Sequence, residues 1–173
     1  MTHRLFDKSS PIIEFNKNIS NNQEIFEFLK VKMIQELMII NQAGIALLYH
    51  NFLHNERVDD EQSLASYFDI ICRFTKHSFK ESLRTLELDS YIFFFYTHKS
   101  RFHLVLKCEN EKYNKDVLES ISENIIKKFL LKYKKELKDF NGETSLFISF
   151  SEDIIEILAA KFDEFKEFLT MEQ

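Results

Sequence analysis

The chain has 173 residues, 45% hydrophobic and 29% charged, a balance that fits one globular domain able to bury a core without staples. Its two cysteines, Cys72 and Cys108, are too few for a disulfide framework, and a net charge of −5 gives no electrostatic case for nucleic acid. No secretory signal pattern opens the sequence, and no apolar run approaches the roughly 20 residues that span a bilayer.

Residues 1–33 read as an N-terminal arm. They hold the only proline, Pro11, a polar Asn/Ser cluster, and then Asn22–Met33, where Ile25, Phe28 and Leu29 fall at helical spacing and predict a short helix, while Phe26, Phe28, Lys30 and Lys32 also admit a period of two. From Ile34 the pattern changes. Leu37–Asn41 is apolar, Gln42-Ala43-Gly44 signals a turn, and Ile45–Phe52 resumes the apolar run, which predicts a β-hairpin. Asp59 or Asp60 then caps a helix to about Phe79, with Leu64, Phe68, Ile71, Phe74 and Thr75 as its apolar positions.

Three strand signals follow at Leu83–Leu88, Tyr91–Thr97 and Phe102–Cys108, separated by Asp89-Ser90 and His98-Lys99-Ser100, and they predict a meander. Asn114 can cap a second helix whose face is Leu118, Ile121, Ile125, Phe129, Tyr133 and Leu137, ending at Asn141-Gly142. Lysines crowd its end, where they complement the helix dipole. Ser149 and Glu152 have capping-box spacing and open a last helix along Ile154, Ile157, Leu158, Phe162, Phe165 and Leu169.

The order ββ-α-βββ-α-α predicts a mainly antiparallel sheet with one helix on one face and two on the other. Three consecutive phenylalanines, Phe93–Phe95, fit that layering. A strand covered on both faces loses its polar alternation, so Tyr91, Phe93 and Phe95 should point to one layer and Ile92, Phe94 and Tyr96 to the other.

This order resembles the longin domain. The likeness is carried by ELMIINQAGIALLYHNF (36–52) as first hairpin and SLRTLELDSYIFFFYTHKSRFHLVLKC (82–108) as meander. KKFLLKYKKELKDFNGETSLF (127–147) is similar to the corresponding link in archaeal longin-like proteins. The resemblance covers about residues 34–160 and implies an α+β, longin/profilin-like α-β-α sandwich with a five-stranded sheet; the domain is read as residues 34–173, including an extended C-terminal helix beyond the resemblance. It also implies a non-catalytic, cytoplasmic interaction module in small-GTPase regulation or membrane traffic. Partners would be a small Ras-like GTPase, another longin or roadblock domain, or a second copy of the chain, with membranes reached peripherally. Tyr49, Phe52, Phe68 in the first helix (63–79) and Phe28 in the arm are the candidate partner-binding residues.

Reaction chemistry is scarce. A phosphate-binding loop needs clustered glycines, and Gly44 and Gly142 are each explained by a turn or cap. His50 and His54, or His98 and His103 near Cys108, lack the converging spacing of a zinc site. Both cysteines sit in apolar patterns and read as inert buried thiols. The acidic residues Glu56, Asp59, Asp60 and Glu61 lack the alternation of a calcium loop. No cofactor is expected. The alternative reading is a small-molecule sensor or small enzyme whose pocket is lined by Tyr96, His98 and His103.

Overall fold

The computed structural model describes residues 34–53, 60–99, 101–109 and 114–171, with side chains through 161. Strands β1 (Ile34–Asn41) and β2 (Ala46–Asn51) form the first hairpin. Helix α1 (Glu61–Phe79) follows, then β3 (Thr85–Glu87), β4 (Tyr91–His98) and β5 (Phe102–Glu109). The chain ends in α2 (Lys115–Lys132), the short α3 (Lys134–Lys138), a 3-10 turn at Ser145–Phe147, and α4 (Phe150–Met171). The predicted helix at Asn22–Met33 lies outside the described residues.

All neighbouring strands run antiparallel in the order β2-β1-β5-β4-β3. The first of the described strands therefore sits inside the sheet, flanked by β2 and β5. Strand alternation sorts side chains into two cores. On one face Met38, Ile40, Phe95 and Val105 meet Ala65, Phe68 and Cys72 of α1. On the other Leu37, Ile39, Ile92, Phe94, Leu104 and Leu106 meet the stripes of α2 and α4. The three phenylalanines divide as expected: Phe93 and Phe95 face α1, and Phe94 is buried under α2 and α4.

Local signals set the helix ends. The Asp60 carboxylate accepts from the Ser63 backbone N–H at 2.9 Å, and Lys80 closes α1 in the left-handed conformation. Asn114 caps α2 by accepting from the N–H groups of Asp116 and Val117. The predicted long second helix breaks at Tyr133, where Phe129, Tyr133, Phe147 and Phe150 form one aromatic cluster. Ser149, expected to cap α4, instead meets the Tyr133 hydroxyl at 3.0 Å. Part of the lysine crowd clasps α4: Lys128 reaches Asp153 and Glu156, each at 3.0 Å, and Lys132 also pairs with Asp153. β3 is shorter than its signal: its ladder with β4 covers Thr85–Glu87, and single hydrogen bonds from Phe95 N–H to the Arg84 carbonyl and from Leu88 N–H to the Tyr91 carbonyl close its two ends.

Candidate functional site

α1 carries two kinds of surface. Its inner stripe is the buried one, Ala65, Phe68 and Cys72, with Leu64 partly buried beside it. Its outer stripe is also apolar: Tyr67, Ile70 and Phe74 are 54%, 65% and 58% exposed, and Phe79 lies beyond them against Phe74. Spacings of three and four place Tyr67, Ile70 and Phe74 on one side of the helix. Phe74, expected in the core stripe, belongs to this outer row. Large apolar side chains grouped on an exposed helix face mark an interaction surface more often than scattered ones do.

At one end of α1's footprint the sheet turns polar. The β1–β2 turn is locked from within, because the Asn41 side chain accepts from the N–H groups of Ala43 and Ile45 at 2.9 and 3.0 Å. α1 locks it from outside: the Gln62 amide donates to the Gly44 carbonyl at 2.7 Å and accepts from Ala46 N–H at 3.1 Å. Gly44, at φ +73°, is so close to α1 that a Cβ there would lie 3.3 Å from Asp69 Oδ2.

Asp69 is the pivot of this end. Its side chain is 5% exposed although it stands on a helix. One oxygen, Oδ2, is held by Arg73, whose guanidinium also donates to the Gln42 carbonyl at 2.8 Å. The other, Oδ1, faces Nε2 of the buried His103 at 3.7 Å and has no hydrogen bond. His103 Nδ1 lies 3.0 Å from the Thr97 hydroxyl on the adjacent strand. In the neutral ring, a proton on Nε2 lets Thr97 donate to Nδ1 and points the N–H at Asp69. Burial lowers the His103 pKa, Asp69 opposes that shift, and Arg73 adds to it. A cleft of about 300 Å³ opens here between α1, the α1–β3 link and the ends of the strands.

The row Thr97, His103, Asp69 has the residue types of a hydroxyl nucleophile, base and acid. It lacks their activation. Thr97 sits in a regular β4–β5 register opposite His103, not on a strained elbow, and burial makes His103 a reluctant proton acceptor. Cys72 also lines the cleft, but burial and the Asp69 charge push its thiol up to about 12. Burial likewise pushes Cys108 up to about 12. These groups can hold and orient a ligand better than they can attack one. Among the described residues no group of three or more His, Cys, Asp or Glu side chains could hold a metal ion.

The expected site residues land in different places. Phe52 is fully buried under the α2–α4 layer, because the chain turns inward after β2 and the Phe52 N–H bonds the Gln35 carbonyl at 2.9 Å. Phe68 is buried in the seam between α1 and the sheet. Neither can present a ring to a partner, so both are corrected from surface to core. Tyr49 is half-buried on β2 against the α1 core, where burial and then the Glu36 charge push its phenol well above the ordinary value. Phe28 lies outside the described residues. The pocket expected from Tyr96, His98 and His103 is also corrected: Tyr96 packs on the α2–α4 core, whereas His103 faces Asp69 of α1 on the other side of the sheet. Asp69 and Arg73 escaped sequence reasoning, since an i, i+4 acid–base pair on a helix reads as solvated surface.

No family model matches the sequence, and no curated protein does. Solved structures with a similar backbone include a chain of the mammalian SRP receptor, at 12% identity and a TM-score of 0.50, covering 77% of this chain and 98% of that one. The fold is longin/roadblock-like. The gliding protein MglB from Thermus thermophilus matches at 12% identity and a TM-score of 0.41, covering 84% of this chain and 90% of that one. A Roadblock/LC7 domain from Streptomyces avermitilis matches at 16% identity and a TM-score of 0.38, covering 51% and 78%. In this longin-like chain, no helix among the described residues is long and apolar enough to cross a membrane.

Proposed function

We propose that the chain is a non-catalytic protein-interaction module of small-GTPase regulation, with the outer face of α1 as its docking surface. The observation that carries this reading is the exposed row Tyr67, Ile70 and Phe74. Bases flank it: Arg73, Lys76, His77 and Lys80 are all exposed. An apolar stripe with a basic margin suits a folded partner whose own apolar patch is rimmed by acids. Support for a small Ras-like GTPase as that partner comes from the longin-like architecture, at the level of fold analogy. A second longin or roadblock domain, or a second copy of this chain, are the competing occupants.

The test pairs wild type with the double variant Ile70→Glu/Phe74→Glu. Affinity capture from the native lysate, with the recovered proteins identified, should bring down a small GTPase with wild type and lose it with the variant. Light scattering run alongside should show the wild type without a partner to be monomeric. Recovery of no GTPase, or equal recovery with both proteins, overturns the reading. A wild-type dimer that the variant abolishes assigns the face to self-association instead.

A further inference from the structure

We propose that the N-terminal arm folds back on its own domain, laying Ile25, Phe28 and Leu29 along the exposed row Tyr67, Ile70 and Phe74 of α1, and masks the docking face until a partner displaces it. The masking rests on the partner face proposed above; the contact between arm and α1 stands without it.

The arm joins the fold beside α1. Its last residue, Met33, precedes Ile34 of β1, and Glu36 shares a shallow groove with Leu64 and Phe68 of α1 and Phe93 of β4. Apolar surface continues from that groove to the outer row, since the Phe68 ring lies 5.1 Å from Phe93 and 6.0 Å from Tyr67, centroid to centroid. The lengths agree. Tyr67 and Phe74 are seven residues apart, roughly 10 Å along α1, and a helix over residues 22–29 covers about 12 Å. The five steps from Leu29 to Ile34 reach up to about 17 Å, enough to climb from the sheet past a helix about 10 Å across.

Charge sets the direction. The arm carries Glu24 and Glu27 ahead of Lys30 and Lys32, whereas α1 starts at Asp60 and Glu61 and ends with exposed Lys76, His77 and Lys80. Laid antiparallel, the arm sets its acids beside the bases of α1 and its lysines beside the acidic start; laid parallel, like charges meet at both ends. The tether favours the same direction, because the groove at Glu36 adjoins Leu64 and Phe68, in the first half of α1. An extended arm serves less well, since period two puts Lys30 and Lys32 on the side of Phe26 and Phe28. A tether this short gives an effective concentration of about 1 mM. An intrinsic affinity of only about 0.1 mM then keeps the face about 90% covered and weakens a competing partner about tenfold.

The test attaches a nitroxide at Gln23→Cys in the full chain, on the side of the arm helix away from Ile25 and Phe28, and reads amide NMR line widths. The native thiols are buried and pushed up to about 12, so they stay unlabelled. Amides of residues 70–80 should broaden, and those of Leu131 and Glu156 in the opposite layer should not. Ile25→Glu/Phe28→Glu in the arm should abolish the broadening, and so should Ile70→Glu/Phe74→Glu. An equimolar mixture of spin-labelled chain and isotope-enriched unlabelled chain should show none. Absence of broadening on α1, or broadening that survives the arm variant, overturns the proposal. Broadening in the mixture gives the arm to a second copy and overturns it too. The small GTPase captured above should bind the arm variant about tenfold more tightly than wild type, and an unchanged affinity overturns the masking. Capture of no GTPase sinks the partner reading and the masking with it, while the nitroxide result still decides the contact.

Discussion

Several single residues here carry consequences larger than their size. Phe94 is fully buried between the sheet and α2–α4, so Phe94→Asp places an unpaired charge in hydrocarbon. A loss of roughly 4 kcal/mol or more is expected, read as a collapse of the thermal transition, and an unchanged melting temperature would refute two-sided burial. The two glycines separate backbone strain from contact. Both have positive φ, but a Cβ at Gly142 meets nothing while one at Gly44 meets Asp69. Gly142→Ala should cost only the roughly 1 to 2 kcal/mol of a left-handed alanine, and Gly44→Ala measurably more, by chemical denaturation of each. His103 links stability to pH. Its folded-state pKa lies below the ordinary 6.5, so the unfolded chain takes up a proton first. Its contribution is complete above pH 6.5 and is lost as pH falls through 6.5 toward the lower folded value. Melting temperature should therefore drop more steeply between about pH 7.5 and 5.5 in wild type than in His103→Gln. Equal slopes would mean that Asp69 compensates the ring's charge despite Arg73 and Lys76 nearby.

At the scale of elements, α1 is the part least well served by pattern reading. It has apolar residues on two sides, so spacing alone admits more than one stripe and places Phe74 inward. The arbiter is the sheet beneath: small residues such as Ala65 and Cys72 let the backbone approach, while Tyr67, Ile70 and Phe74 point away. Because the outer row makes little contact with the core, Ile70→Glu/Phe74→Glu should change unfolding free energy by less than about 1 kcal/mol. A larger loss in a denaturant titration would show that the row is structural. Phe52 eludes the pattern for a related reason, since a ring just past a strand's end follows the turn and not the alternation. By contrast the caps at Asp60 and Asn114 are legible, because a short polar side chain before an apolar period has one local use.

For the whole molecule, the element order and the division of faces are readable because hairpins, meanders and covered strands leave strong periodic signals. The buried polar end is not. Nothing local distinguishes Asp69 from any surface acid, and its burial exists only once α1, Gly44 and His103 meet across the sheet. The position of β1 has a temporal consequence. Its central seam joins residues as distant as Glu36 and Lys107, which pair at 2.6 Å across 71 positions. Closing so long a loop is entropically costly before any contact repays it, so the nascent N-terminal hairpin must wait, one flank open, for β5 to be synthesised. A fragment ending at residue 101 should therefore show no cooperative thermal transition, whereas the full chain should show one. During synthesis a strand that ends paired on both sides is, for about a third of the chain's length, without its β5 partner.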